Sequence, residues 1–387
     1  MRVRSLGLAD WRNYRDEQVE FASGLNLITG RNAQGKTNLL EAVHFLGGLG
    51  SPRGLDAVLV REGAERAVLH AEIERGGRAL RMDLEVRPGQ GIRVLLNGTP
   101  VSGPRALTEV VATVFFGPDE MSLVKGPPDG RRRFLDDLVV KLRPARYGLR
   151  REWDRVLRQR NALLKSAPRG APGRTLETLE VWDEAFCTAG AALTEARLDA
   201  LAALRPYAAK RYEEVAGVGR LELGYDSTWL SSQAAREALN AETALSQAEL
   251  KDALAARIDE VRSRELERGM SLAGPQRDDV RVGLAGPDGG AELDARSYAS
   301  QGDQRTAALA LKLAEHDLVA DALGDQPILL LDDVLSELDP GRRAWLADTI
   351  RPTEQTIMTS AEPGAVEAVA PERTLTVDGG RVSDDRS

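Results

Sequence analysis

Two stretches of this sequence carry residue types at spacings suited to phosphate chemistry. The first is GRNAQGKT, Gly30 to Thr37, between the apolar run LNLI and the segment NLLEAVHFL. In a strand–loop–helix context this spacing wraps a triphosphate. Gly30 and Gly35 let the backbone approach, the N–H groups of Arg31, Asn32, Ala33 and Gln34 face the anion, the Lys36 ammonium bridges the β- and γ-phosphates, and the Thr37 hydroxyl ligates Mg²⁺. The second is PILLLDDVLSELD, in which a buried parallel strand ends on two carboxylates. Asp332 is placed to hold Mg²⁺ through water and Asp333 to orient or activate the attacking water.

A third stretch, YASQGDQRTAALALKLAEHDL, opens a helix with Ser300, Gly302 and Gln304. A serine and a glycine backbone at a helix start make a second anion site, and the chain already has a phosphate loop. That pairing invites a γ-phosphate from another subunit.

The elements that must position these groups follow from periodicity. RVRSLGL and VEFASGLNLI read as two strands around the polar turn DWRNYRD, and a helix with apolar Leu39, Leu40, Val43, Phe45 and Leu46 follows the loop. AVLHAEIE, RALRMDLEV and IRVLL alternate with period two between turns, the last at Asn97-Gly98, predicting an antiparallel meander. Asp129 is the expected cap of the first helix of a helical arm, in which a later helix starts at a Ser246–Glu249 capping box. After Gly274 the pattern returns to α/β, with strands at VRVGLAG, ILLLD and TIMTS. The predicted organisation is a nucleotide-binding domain from residues 1–117 and 275–387, with a mainly helical domain, 118–274, inserted.

At 387 residues and 42% hydrophobic content the chain supports two packed domains. No apolar run approaches a membrane span and the N-terminus has no signal-peptide core, which predicts a soluble cytoplasmic protein without membrane partners. The single Cys187 excludes an internal disulfide and reads as a buried hydrophobe. Net charge is −8, yet residues 131–170 hold thirteen basic against four acidic residues, a local +9. Arg131, Arg132, Arg133, Arg150 and Arg151 are the candidate DNA contacts in that run. With no helix-turn-helix, zinc finger or base-stacking platform, binding is expected to be independent of base sequence.

The loop, the serine-glycine-glutamine segment, the Asp-Asp strand and the LSELD turn together resemble the ATP-binding-cassette heads that include SMC and Rad50 proteins. LADWRNYRDEQVEF, GRNAQGKTNLLEAV, VFFGPDEMSLVKGPPDGRRRFLD, LAGPQRDDVRV, SQGDQRTAALALKLAE and LLLDDVLSELD, in this order over nearly the whole chain, resemble the RecF family of bacterial recombination mediators. The resemblance implies an α/β fold: a P-loop ATPase head with a mixed sheet and an antiparallel β layer, plus the inserted arm. It further implies an ATP-induced homodimer in which each nucleotide lies between one subunit's phosphate loop and the other's Ser300 and Gly302, with Gln304 serving that interface and Arg12 touching the nucleotide. The implied function is to bind DNA, to help load recombinase at single-strand gaps with partners of the RecO/RecR type, and to support SOS induction.

The chain departs from the head-class pattern in places. Asp333 stands where relatives usually have Glu, which predicts slow hydrolysis suited to a switch. No histidine follows the Asp-Asp strand, and Thr359 or Ser360 occupies that place. Asp303 stands at an ordinarily uncharged position of the signature, while Arg277, Asp278 and Asp279 read as structural. Competing functions for such a chain are a transporter motor, a Rad50-type DNA tether, which needs a long heptad coil, and a small-molecule kinase.

Overall fold

The computed structural model describes residues 1–51, 56–166, 173–217, 219–239, 244–286, 293–362 and 369–384. The strands in chain order are β1 (Arg2–Trp11), β2 (Tyr14–Glu20), β3 (Gly24–Thr29), β4 (Ala67–Arg75), β5 (Arg78–Arg87), β6 (Gly91–Leu96), β7 (Thr99–Val101), β8 (Thr113–Phe116), β9 (Arg220–Asp226), β10 (Asp279–Ala285), β11 (Leu293–Asp294), β12 (Ile328–Asp332), β13 (Gln355–Ser360), β14 (Arg373–Asp378) and β15 (Arg381–Asp384). The chain divides into two units, Met1–Glu120 with Leu309–Ser387, and Met121–Ala308.

The first unit holds two six-stranded sheets. One, ordered β2-β1-β4-β5-β6-β7, is antiparallel throughout. Its meander is the predicted one, with the Asn97-Gly98 turn joining β6 to β7. Alternating burial along β4 shows one face packed and one wet. The other sheet is ordered β15-β14-β3-β13-β12-β8 and is parallel except at β15. Its centre is apolar without alternation: every residue of β12 and of β13 is buried. Helix Lys36–Phe45 follows β3 and buries Leu39, Leu40, Val43 and Phe45, with Phe45 tilted against Trp11 at a ring separation of 5.2 Å.

The second unit is built on helices Pro128–Leu142, Gly148–Ser166, Gly173–Ala216 and Gln247–Arg268 and the antiparallel sheet β11-β10-β9. The capping box forms: Ser246 Oγ accepts from the Glu249 N–H while the Glu249 carboxylate accepts from the Ser246 N–H. Asp129 does not cap its helix. Pro127 is the N-cap residue, and Asp129 lies in the first turn paired with Arg132. Arg160, fully buried, binds Asp183, Glu265 and Ser271 and lies 4.6 Å from the Phe186 ring centre, so a cation of the basic run is part of this core. Cys187 is buried, and desolvation pushes its thiol up to about 12.

The unit boundary differs from the sequence expectation. The sequence pattern places β10 in the nucleotide-binding domain from residue 275 onward, whereas it pairs along its whole length with β9, and the second unit runs on to Ala308. A strand's partner is a long-range choice that its own alternation does not reveal. Among the described residues no helix is long and apolar enough to cross a membrane.

Candidate nucleotide site

The loop Gly30–Gly35 leaves β3 and enters helix Lys36–Phe45, whose N-cap residue, Gly35, supplies no side-chain cap. Gly30 and Gly35 have φ of 142° and 119°, and Ala33 is left-handed at 64°. A side chain at Gly30 would collide with the Val377 carbonyl, and one at Gly35 would meet the Asn13 amide at 2.6 Å. Loop carbonyls are held from outside: the Asn13 Nδ2 and Gly380 N–H donate to Gln34 O at 2.9 and 3.1 Å, and the Tyr14 hydroxyl donates to Gly35 O at 2.9 Å. The Gln34 side-chain oxygen accepts from the Gly379 N–H at 2.7 Å. By contrast, the N–H groups of Arg31 to Gly35 have no acceptor among the described residues. A run of free N–H groups at an uncapped helix start is an anion cradle.

Lys36 is buried and donates to the carbonyls of Gly30 and Arg31 at 2.6 and 2.9 Å. Desolvation lowers its pKa, against the opposing pull of Asp333 and Asp332. Thr37 Oγ1 donates to Asp332 Oδ1 at 3.0 Å, so the loop and the end of β12 converge. The same oxygen accepts from Thr359 Oγ1 at 2.7 Å, and the Asp333 N–H donates to that hydroxyl at 2.9 Å. Asp333 is left-handed at φ 51°, and its Oδ1 is buried without a hydrogen-bond partner among the described residues. A hydroxyl, a carboxylate and a partnerless buried carboxylate oxygen are hard oxygen donors, and that set fits Mg²⁺ with its retained waters.

Arg12 sits in the β1–β2 turn at φ 52° and grips buried Glu41 with two bonds, Nε to Oε2 at 2.8 Å and Nη2 to Oε1 at 2.7 Å. Ser51 also bonds that carboxylate. The expected nucleotide-contacting arginine is therefore clamped to the helix that carries Lys36 and Thr37. Asn13, Tyr14 and the Gly379-Gly380 turn hold the loop, and Glu41 holds Arg12, without a sequence signal that marks them for it. WRNY and DGG are ordinary turn signals, and nothing local in them points to residue 34 or 35.

In the second unit, Ser300 is exposed and its hydroxyl donates to Asp303 at 2.7 Å while accepting from the Asp303 N–H at 3.2 Å at the start of helix Gln301–Leu323. Gln304 departs from its expected role. It is 4% exposed, and its Nε2 donates to the carbonyls of Ala295 and Ala299, both at 3.2 Å. It braces the turn before the helix. Asp278 is buried beneath Tyr225 and Trp229, which donate to its Oδ2 at 2.8 and 3.2 Å, as the structural reading of that segment required.

The candidate DNA contacts separate into two groups. Arg131 is 5% exposed and holds Asp279 through two bonds of 2.7 and 2.8 Å as well as the Gly126 carbonyl, and it is excluded as a phosphate contact. Arg132 donates to the Asp278 carbonyl at 2.7 Å and binds Asp129, so it too is largely internal. Arg133 is half-buried and lies 3.8 Å from Asp137, whereas Arg150 is exposed, 3.2 Å from Asp136 and 3.8 Å from Asp154. Arg151 is exposed with no partner among the described residues.

A parallel sheet whose first helix begins at a phosphate loop, with two aspartates at the end of β12, one strand removed from β3, is the arrangement of an ATP-binding-cassette type P-loop head. The family model described as the RecF/RecN/SMC N terminal domain matches residues 2–381. The DNA replication and repair protein RecF of Streptomyces avermitilis is 41% identical over 388 residues, 99% of each chain. Two solved structures of the recombination mediator protein RecF in the RecFOR pathway, RecF-ATPrS and RecF-ATP, superpose with TM-scores of 0.87 and 0.86, each at 26% identity, covering 99% of this chain and 98% and 97% of theirs. The chain belongs to the RecF family.

Proposed function

We propose that this chain is an ATP-driven, DNA-binding switch of recombinational repair and replication restart. The observation that carries the reading is the 3.0 Å contact between Thr37 and Asp332 beside a loop of unpartnered N–H groups. ATP lays its phosphates along Arg31 to Gly35, and Lys36 exchanges its two loop carbonyls for phosphate oxygens. Mg²⁺ held by Thr37 and, through water, by Asp332 would neutralise charge developing between the β- and γ-phosphates. Asp333 orients the attacking water, and its short side chain makes hydrolysis slow. The RecF-ATP relative supports the choice of nucleotide.

Each site is completed in a homodimer by the Ser300 hydroxyl and the Gly302 backbone of the second subunit. Ser300 stands exposed at a helix start, and it exchanges Asp303 for the γ-phosphate on closure. Gln304 acts by bracing that turn, and Arg12 by holding the loop helix through Glu41. DNA is bound on its backbone, independently of base sequence, with Arg133, Arg150 and Arg151 contributing. The bound state, with partners of the RecO/RecR type, helps load recombinase at single-strand gaps and supports SOS induction; hydrolysis resets it. The relatives' description as recombination mediators in the RecFOR pathway supports this placement.

Sedimentation with and without ATP and DNA, comparing wild type with Lys36→Met and Ser300→Arg, tests the reading. ATP is expected to dimerise wild type and neither variant alone, while a mixture regains one intact site per dimer. A Ser300→Arg protein that closes normally rejects the shared site, and a wild type that ignores ATP rejects the switch.

A further inference from the structure

We propose that Thr359 is a positioning residue for hydrolysis: its hydroxyl holds the Asp332–Asp333 corner in the geometry that activation of water requires. The inference rests on the reading of this site as an ATPase and adds to it a residue outside the phosphate loop and the carboxylate strand.

Thr359 lies in β13, directly opposite Asp332 of β12 in the parallel register, and is 0% exposed. A hydroxyl offers one proton and two lone pairs. Here the proton goes to Asp332 Oδ1 at 2.7 Å and a lone pair takes the Asp333 N–H at 2.9 Å. One side-chain oxygen therefore fixes the carboxylate of the first aspartate and the backbone of the second.

Both restraints act where the chain most needs them. Asp333 is left-handed at φ 51°, a conformation that a non-glycine residue keeps only when its surroundings impose it. The peptide that enters this turn is the one Thr359 holds. Asp332 Oδ1 also receives Thr37 Oγ1, so Thr359 keeps that oxygen turned toward the loop. The Asp333 Oδ1, buried and without a hydrogen-bond partner among the described residues, is then presented in a fixed direction. The neighbouring Ser360 is occupied otherwise: it bonds the Glu362 carbonyl and N–H, at 3.2 and 3.1 Å, and shapes the turn after β13.

Thr359→Val keeps the shape and removes both bonds, whereas Thr359→Ser keeps both bonds and removes a methyl group. With full-length protein, the valine variant is expected to lose ~10- to 100-fold in single-turnover hydrolysis, the range for partners that orient metal-site ligands. Its KM for ATP should change much less than its single-turnover rate, because Lys36 and the loop N–H groups carry the phosphate contacts while the corner acts on the metal and the attacking water. The serine variant should hydrolyse at close to the wild-type rate. Two readouts are independent of turnover. Hydrogen exchange in nucleotide-free protein should show the Asp333 amide deprotected by valine and protected by serine, and the electron paramagnetic resonance spectrum of Mn²⁺ bound with a non-hydrolysable ATP analogue should change with valine only.

Valine with wild-type hydrolysis, or serine that loses as much as valine, overturns the role of Thr359. If valine prevents folding, as melting would show, the serine variant still decides between hydroxyl and methyl. Wild-type protein without ATP hydrolysis would instead overturn the proposed function itself, and with it any catalytic role of this residue.

Discussion

The Thr37 hydroxyl donates to Asp332 Oδ1 at 3.0 Å although 295 positions separate the two in sequence. The contact exists because β3 and β12 flank β13 in parallel, so both strands end at the same carboxyl end of the sheet.

Removal of either member is expected to disable the same chemistry. Thr37→Val and Asp332→Asn should each lower the Mg²⁺-supported kcat/KM for ATP by about 100-fold, while the double variant falls well short of the product of the two losses, as for groups acting as one unit. A kinetic double-mutant cycle measures this, and full additivity would separate the two roles.

Gly30→Ala should cost ATP affinity and stability together. Its φ of 142° excludes a side chain, and the added methyl group strikes the Val377 carbonyl in β14. A cost of about 1–3 kcal/mol is expected from such a backbone position, enough to lower nucleotide affinity about 5- to 150-fold if the loop absorbs it. Nucleotide titration alongside melting shows how the cost divides.

Arg131 and Arg151 should behave oppositely. Arg131→Ala leaves a buried void and removes both bonds to Asp279, whose carboxylate is partly open to solvent, and should destabilise the fold by about 1.5–3 kcal/mol. Arg151→Ala should leave melting unchanged and reduce the slope of log DNA affinity against log salt by about one. A stable Arg131→Ala protein with specifically weakened DNA binding would reverse this assignment.

Asp278 should make stability fall as pH rises through the acid range. Burial lifts its carboxyl to about 6, so the folded state holds a proton that the unfolded chain releases nearer 4. Stability from this group is full below the unfolded value and is lost up to pH 6, a change of about 3 kcal/mol. Asp278→Asn keeps an acceptor for Tyr225 and Trp229 without the charge. It should raise the melting temperature at pH 8 by several degrees and lose that advantage below about pH 4.

Much of the head was legible because its signals are local. The loop, the apolar strand ending at Asp332, the helix starting at Gln301 and the Asn97-Gly98 hairpin each follow from spacing over a dozen residues or fewer. Where the partner lay far along the chain and no motif named it, reading by pattern failed. β10 looked like a strand of the nucleotide-binding domain until β9 paired with it. The arginine run looked uniformly basic, yet Arg131 is neutralised by Asp279, 148 positions away. Gln304 looked like a ligand contact and is instead held by carbonyls of the preceding turn.

Residue order alone supports the kind of chemistry, phosphate held on backbone N–H groups beside paired carboxylates, because backbone geometry and side-chain type there depend on near neighbours. Folding decides which groups remain available for it. Parallel pairing of β12 with β13 puts Thr359 against both aspartates, and long-range ion pairs remove some cations from solvent and leave others exposed. A hydrogen bond or ion pair consumes the same donor that a ligand would use, and only the packed structure shows which donors have already been taken.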